Sequence, residues 1–167
     1  MNTKLIPSIF TLANLLVGII SLVFTMDNNF QLAAIMILFA MVLDGMDGRL
    51  ARRLDATSPF GKELDSLADL VSFGVAPAIL VYSLKMREFG ILGLLVCLAF
   101  ALCGAIRLAR FNVLNISSYF VGCPITAAGS LVALTVLLGN RLPSPVYPVV
   151  MVLLSYLMVS NIKIPKY

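Results

Sequence analysis

The chain contains no histidine and no tryptophan, and only 8 of its 167 residues are acidic. Without histidine, Ser-His-Asp and Cys-His nucleophilic mechanisms are excluded. The general base of any reaction then has to be an aspartate or glutamate, or else a lysine or tyrosine. Charge of either sign is scarce: Asp, Glu, Lys and Arg make up 12% of the chain against 60% hydrophobic residues, and mean hydropathy is +1.03. A soluble domain of this length needs far more polar surface, so the composition is that of a polytopic membrane protein. The three cysteines, Cys97, Cys103 and Cys123, stand in apolar segments without metal-ligand spacing and read as packing residues. Internal repeats, low-complexity tracts and linkers are also missing, so residues 1–167 read as a single membrane domain.

Long apolar runs are what the chain has in quantity. Hydropathy places six spans at about 6–26, 30–47, 67–84, 90–109, 124–138 and 146–160, lengths matched to a hydrocarbon core of about 30 Å. The expectation is an all-α fold of six transmembrane helices, with Pro143, Pro145 and Pro148 marking the last turn. The first run follows Lys4, is too long for a signal-peptide core and lacks a small-x-small exit, so it reads as a retained span. With the N-terminus inside, the inner segments hold Lys4, Arg49, Arg52, Arg53, Lys62, Arg107, Arg110, Lys163 and Lys166, and the outer loops only Lys85, Arg87 and Arg141. That bias predicts a multi-pass protein of the cell membrane with both termini in the cytoplasm. The net charge of +4 therefore reflects orientation. A nucleic-acid partner is excluded, because no basic stripe with interleaved aromatics is present.

Six of the eight acids (Asp44, Asp47, Asp55, Glu63, Asp65 and Asp69) fall in one short stretch. A carboxylate costs about 2.5–3.5 kcal/mol at the centre of a membrane helix, so intramembrane acids mark function. Asp44 and Asp47, three apart at the cytoplasmic end of the second span, share a helical face, as do Asp65 and Asp69, four apart at the start of the third. The segment 48–64, with Pro59 and Gly61, is expected to turn the chain back so that the two pairs face each other. An all-oxygen set of this kind suits one or two hard divalent cations, Mg²⁺ or Mn²⁺, which would also relieve repulsion among the acids. Mg²⁺ held by a few carboxylates completes its shell with substrate phosphates. Gly48 and Ala51 leave room for a ligand, and Arg52 offers a planar fork for phosphate. The expected chemistry is displacement at the phosphorus of a lipid-linked pyrophosphate. Ion pairing with Arg49, Arg52 or Arg53 accounts for one acid but not for four at these spacings. A cation- or proton-coupled transporter would bind near the midplane between repeated halves, and no repeat is present here.

The string Asp44-Gly-Met-Asp47-Gly48-Arg-Leu-Ala51-Arg52, followed after eight residues by Gly61-Lys-Glu-Leu-Asp65-Ser-Leu-Ala-Asp69, resembles the defining motif of the CDP-alcohol phosphotransferases at each position. The resemblance implies six transmembrane helices, a homodimer, an active site open to the cytoplasm, and exchange of the CMP of a CDP-linked lipid for an acceptor hydroxyl. By position it implies that Asp44, Asp47, Asp65 and Asp69 hold two metal ions, with Asp47 bridging and Asp69 doubling as general base. It also implies that Gly48, Ala51, Arg52 and Ser58 contact the CDP group and that Gly61 sets how closely the helices approach it. Flanking strings (Gly61 to Pro77, Arg107-Leu-Ala-Arg110-Phe-Asn112, and Tyr119 to Gly129) resemble the branch that uses CDP-diacylglycerol and L-serine. Sister branches using glycerol phosphate show Asp-Pro-x-Ala-Asp-Lys where this chain has Asp65-Ser-Leu-Ala-Asp69-Leu70. The alternatives within the family are glycerol 3-phosphate or inositol phosphate as acceptor, or an archaeal CDP-archaeol donor. Arg107, Arg110 and Asn112 are candidates for contact with phosphate or the acceptor. Thr11 and Asn14, on one face of the first span, are candidates for the nucleotide pocket. The chain departs from many relatives in carrying Pro7-Ser8 where they have Pro-Asn.

Overall fold

A computed structural model of the chain describes residues 5–53, 58–114, 119–139, 142–160 and 163–165. Lys4, Arg141 and Lys166, counted above for orientation, lie outside them. Helix α1 (Leu5–Met26) carries no charged residue and stops at Asp27-Asn28-Asn29, where Asn28 takes φ 60°, a left-handed conformation that asparagine tolerates better than most residues. Asn29 N–H caps back to Phe24 O at 2.8 Å, and α2 (Phe30–Arg53) returns antiparallel to α1. At this end Ser21 Oγ donates to Ala33 O at 2.8 Å, a polar bond between helices that lack a hydrophobic drive to associate.

The next helical run is the centre of the molecule. It comprises α3 (Pro59–Asp69), a π-helical turn (Leu70–Val75) and α4 (Ala76–Leu84), and it packs on α1, α2, α5 and α6. After a 3₁₀ turn (Met86–Phe89), α5 (Gly90–Leu114) follows, then β1 (Tyr119–Val121), α6 (Ile125–Leu137), α7 (Val146–Val159) and β2 (Lys163–Pro165). Four runs are long and apolar enough to cross a membrane: Ser8–Met26, Phe30–Arg49, Pro59–Leu84 and Met86–Val113. The third is 56% buried against 22–33% for the others, as a central helix must be. Helices α6 and α7, of 13 and 14 residues, are shorter. The protein is thus an all-α polytopic membrane protein.

Small residues set the packing. Ala33, Ala34, Ala40, Ala76 and Ala128 are fully buried, while Ile9, Leu16, Leu92, Leu95 and Leu102 point outward, the inside-out pattern of a lipid-solvated bundle. The π-turn is gripped from two sides. A Cβ on Gly18 of α1 would lie 2.9 Å from Ser72 Cα, and one on Gly129 of α6 would lie 2.7 Å from Phe73 Cα.

Three expected boundaries move. Much of the segment 48–64, expected to turn the chain, is helical instead: α2 runs on to Arg53 and α3 begins at Pro59. The Arg49-Leu-Ala-Arg-Arg53 stretch is helix-forming and continues α2, and Ser58 caps the next helix with Pro59 in its first turn. The third span accordingly begins at Pro59, and the fourth continues to Leu114. A short antiparallel ribbon pairing Tyr119 with Pro165 and Val121 with Lys163 was not expected from the sequence. The Tyr-Phe-Val segment has the β-branched and aromatic character of a strand but is too short to show a period.

Candidate active site

The end of α2 and the start of the central helix bring three carboxylates together. Asp44, Asp47 and Asp65 each offer an oxygen, and these oxygens lie within 4.8 Å of one another. Asp47 is buried and the other two half-buried, and Asp65 Oδ1 is buried without a hydrogen-bond partner. Three converging carboxylates, one with an orphaned buried oxygen, fit a hard divalent cation bound through oxygens. Asp69 stands one turn beyond Asp65, also buried and within electrostatic reach of all three, but outside their tight group.

Helix α1 supplies the supports. Thr11 Oγ1 donates to Asp47 Oδ2 at 3.0 Å, and Asn14 Nδ2 donates to Asp69 Oδ1 at 3.2 Å. Thr11 and Asn14, expected in the nucleotide pocket, therefore each touch one aspartate, on α2 and on α3 respectively. Their i,i+3 spacing was visible in the sequence, but the identity of their partners depends on how α1 docks. Ser72, which the sequence reading did not single out, donates to the Asn14 carbonyl at 3.1 Å.

Around this core, Gly48 lies in α2 with nothing within 4 Å of where a Cβ would stand, so the helix surface beside Asp47 is open. Ala51 and Arg52 fall on the last turn of α2, and their side chains lie outside the described part. Ser58 accepts from Gly61 N–H at 3.0 Å as the helix cap of α3, and a Cβ on Gly61 would press on that hydroxyl at 3.1 Å.

The three residues of the α5 string separate. Arg107 lies within electrostatic reach of Cys123 and of Asp69, and its Nε is buried without a partner. Arg110 instead donates to Val159 O at 3.0 Å, and Cys123 N–H to Leu157 O at 3.0 Å, so both satisfy terminal carbonyls of α7. Asn112 donates to Ser66 Oγ at 3.0 Å and lies 3.3 Å from Glu63 Oε1, tying α5 to α3. The start of α1 and of α3 and the ends of α2, α5 and α7 thus meet at one end of the bundle.

Over residues 4–160 the chain matches the family described as CDP-alcohol phosphatidyltransferase. A Helicobacter pylori protein named CDP-diacylglycerol–serine O-phosphatidyltransferase is 41% identical to it, the alignment covering 98% of this chain and 73% of that one. The Bacillus subtilis protein of the same name is 37% identical, with 97% and 90% covered. An archaetidylserine synthase of Methanothermobacter thermautotrophicus is also 37% identical, with 96% and 70% covered. With that match spanning nearly the whole chain and its aspartate motif assembled on two facing helices, the chain belongs to the CDP-alcohol phosphatidyltransferase family.

Proposed function

We propose that this protein transfers the phosphatidyl group of CDP-diacylglycerol to the hydroxyl of L-serine and releases CMP. The observation that carries the reading is the convergence of Asp44, Asp47 and Asp65 with Asp69 behind them, in a chain similar to enzymes named for this reaction. Two divalent cations, Mg²⁺ or Mn²⁺, held by the aspartates would neutralise pyrophosphate charge and polarise the phosphorus. Asp69 takes the proton of the serine hydroxyl. The hydroxyl oxygen then bonds the lipid-side phosphorus as the bond from that phosphorus to the CMP oxygen breaks, and CMP carries the electron pair away. The open surface at Gly48 admits the nucleotide, with Ala51 and Arg52 alongside it. Arg107, with a free buried donor near Asp69, receives the serine carboxylate. The site opens to the cytoplasm, in keeping with the excess of Lys and Arg at that end, and the family resemblance implies a homodimer.

The similarity to an archaetidylserine synthase supports a second reading in which the donor is CDP-archaeol and the acceptor is still serine. The test uses purified protein with Mn²⁺ or Mg²⁺ and labelled L-serine, with CDP-diacylglycerol or CDP-archaeol as donor. Parallel reactions contain glycerol 3-phosphate or inositol phosphate. Metal-dependent CMP release with label entering lipid from serine alone is expected. Transfer to another acceptor would move the protein to a sister branch, and no transfer with any pair would refute the reading.

A further inference from the structure

Asn14 is completely buried in α1, a helix whose residues are mostly apolar. A buried amide in such a place is costly unless its hydrogen bonds are made. One is: Nδ2 donates to Asp69 Oδ1 at 3.2 Å. The other is not, since Asn14 Oδ1 is buried with no partner. Turning the amide over would set its oxygen against a carboxylate oxygen, acceptor against acceptor, so Asp69 dictates which way the amide faces. The backbone of α1 is held at the same point. Ser72 Oγ donates to the Asn14 carbonyl at 3.1 Å, and Gly18, one turn further, lacks the side chain that would strike Ser72 Cα. Asp69 and Ser72 flank the start of the π-turn, so amide and hydroxyl lock α1 to the helix that carries Asp69 at two points. An amide pinned in this way is suited to hold a carboxylate in one orientation.

We propose that Asn14 is a positioning residue for the transfer step: its N–H holds Oδ1 of Asp69 and leaves Oδ2 as the oxygen turned to the acceptor hydroxyl. The inference rests on the role given to Asp69 in the proposed function, and it differs from a contact between Asn14 and the nucleotide. Without the amide, Asp69 is free to rotate, and the reacting geometry is lost while the surface that binds CDP is untouched.

The test compares the full-length protein with Asn14→Ala and Asn14→Gln, the latter keeping the donor but displacing it by one methylene. It measures kcat and KM for both substrates, calorimetric binding of CDP-diacylglycerol without serine, and thermal unfolding in detergent. The expected result for Asn14→Ala is a fall in kcat of roughly 10- to 100-fold, as for loss of a residue that orients a site carboxylate, with lipid binding and KM unchanged. Asn14→Gln should show the same pattern, which keeps the inference testable if the alanine variant does not fold. Ser72→Ala should lower kcat less, again without a change in KM. A raised KM for CDP-diacylglycerol at unchanged kcat would overturn the inference in favour of a nucleotide contact. Lowered stability at unchanged turnover would reduce Asn14 to packing. Absence of CMP release from the unsubstituted protein would overturn the transferase reading and this inference together, whereas normal turnover in both Asn14 variants would overturn this inference alone.

Discussion

A carboxylate that is expensive to bury has to be compensated, and at this site the compensation is shared out residue by residue. Asp47 has the Thr11 hydroxyl and Asp69 the Asn14 amide, whereas Asp65 keeps one oxygen bare. Three converging carboxylates, one of them with a bare oxygen, are where a cation contributes most, so Asp65→Ala and Asp47→Ala should each abolish metal-dependent binding of CDP-diacylglycerol. Calorimetric binding equal to that of the parent would remove the substituted residue from the metal site. Asp69 stands outside the tight group, and its replacement should separate binding from chemistry. Asp69→Asn is expected to bind metal and CDP-lipid while turnover falls by roughly 10²–10⁴-fold, the usual contribution of a general base. Retention of a tenth or more of the activity would rule that role out. The pairing of Asp44 with Asp47 and of Asp65 with Asp69 was legible from spacing, because i,i+3 and i,i+4 pairs are local geometry. The partners of Arg110 were not. It sits beside Arg107 in one motif, yet nearly a turn further along α5 it reaches the end of α7, a contact that depends on how α7 docks.

Elements have to fit around the π-turn before those side chains can meet. Glycines from α1 and α6 close on consecutive residues, Ser72 and Phe73, from separate helices. Gly129→Val would drive a side chain into the backbone of the central helix, where no rotamer change relieves the clash. The expected result is a clear drop in thermal stability in detergent, at or above the roughly 1–3 kcal/mol typical of overpacking. A melting temperature equal to that of the parent would show that the two helices do not touch there as described. Gly48→Ala is the counterpart. Nothing stands within 4 Å of the added Cβ, so folding should be unaffected, and a raised KM for CDP-diacylglycerol would report the ligand's own approach to that surface. Apolar run length and proline position predicted α1, α6 and α7 nearly to the residue. The π-turn could not be predicted, since no residue type demands it and it follows from packing on both flanks. The end of α2 and the start of α3 were misjudged because Pro59 and Gly61 read as turn residues, whereas both lie in α3 and α2 runs on to Arg53.

At the scale of the whole molecule, the bundle has two unlike ends. One gathers the aspartates, Arg107, Arg110 and the C-terminal ribbon. The other carries the Asp27-Asn28-Asn29 turn and the Lys85–Glu88 pair, 3.9 Å apart and exposed enough to contribute little stability. The sequence assigns nine of the twelve basic residues to the aspartate end, and the positive-inside rule then predicts that this end faces the cytoplasm. Single cysteines test this directly once Cys97, Cys103 and Cys123 have been replaced. Asp27 and Glu88 are exposed at one end and Glu63 at the other, so cysteines there are accessible without disturbing the aspartates. In sealed cells a membrane-impermeant maleimide should label Asp27→Cys and Glu88→Cys, and should reach Glu63→Cys only after the cells are opened. Labelling of Glu63→Cys in sealed cells, with protection of the other two, would invert the protein. The aspartates would then face away from the nucleotide pool, and a cytoplasmic transferase could not be built on this site.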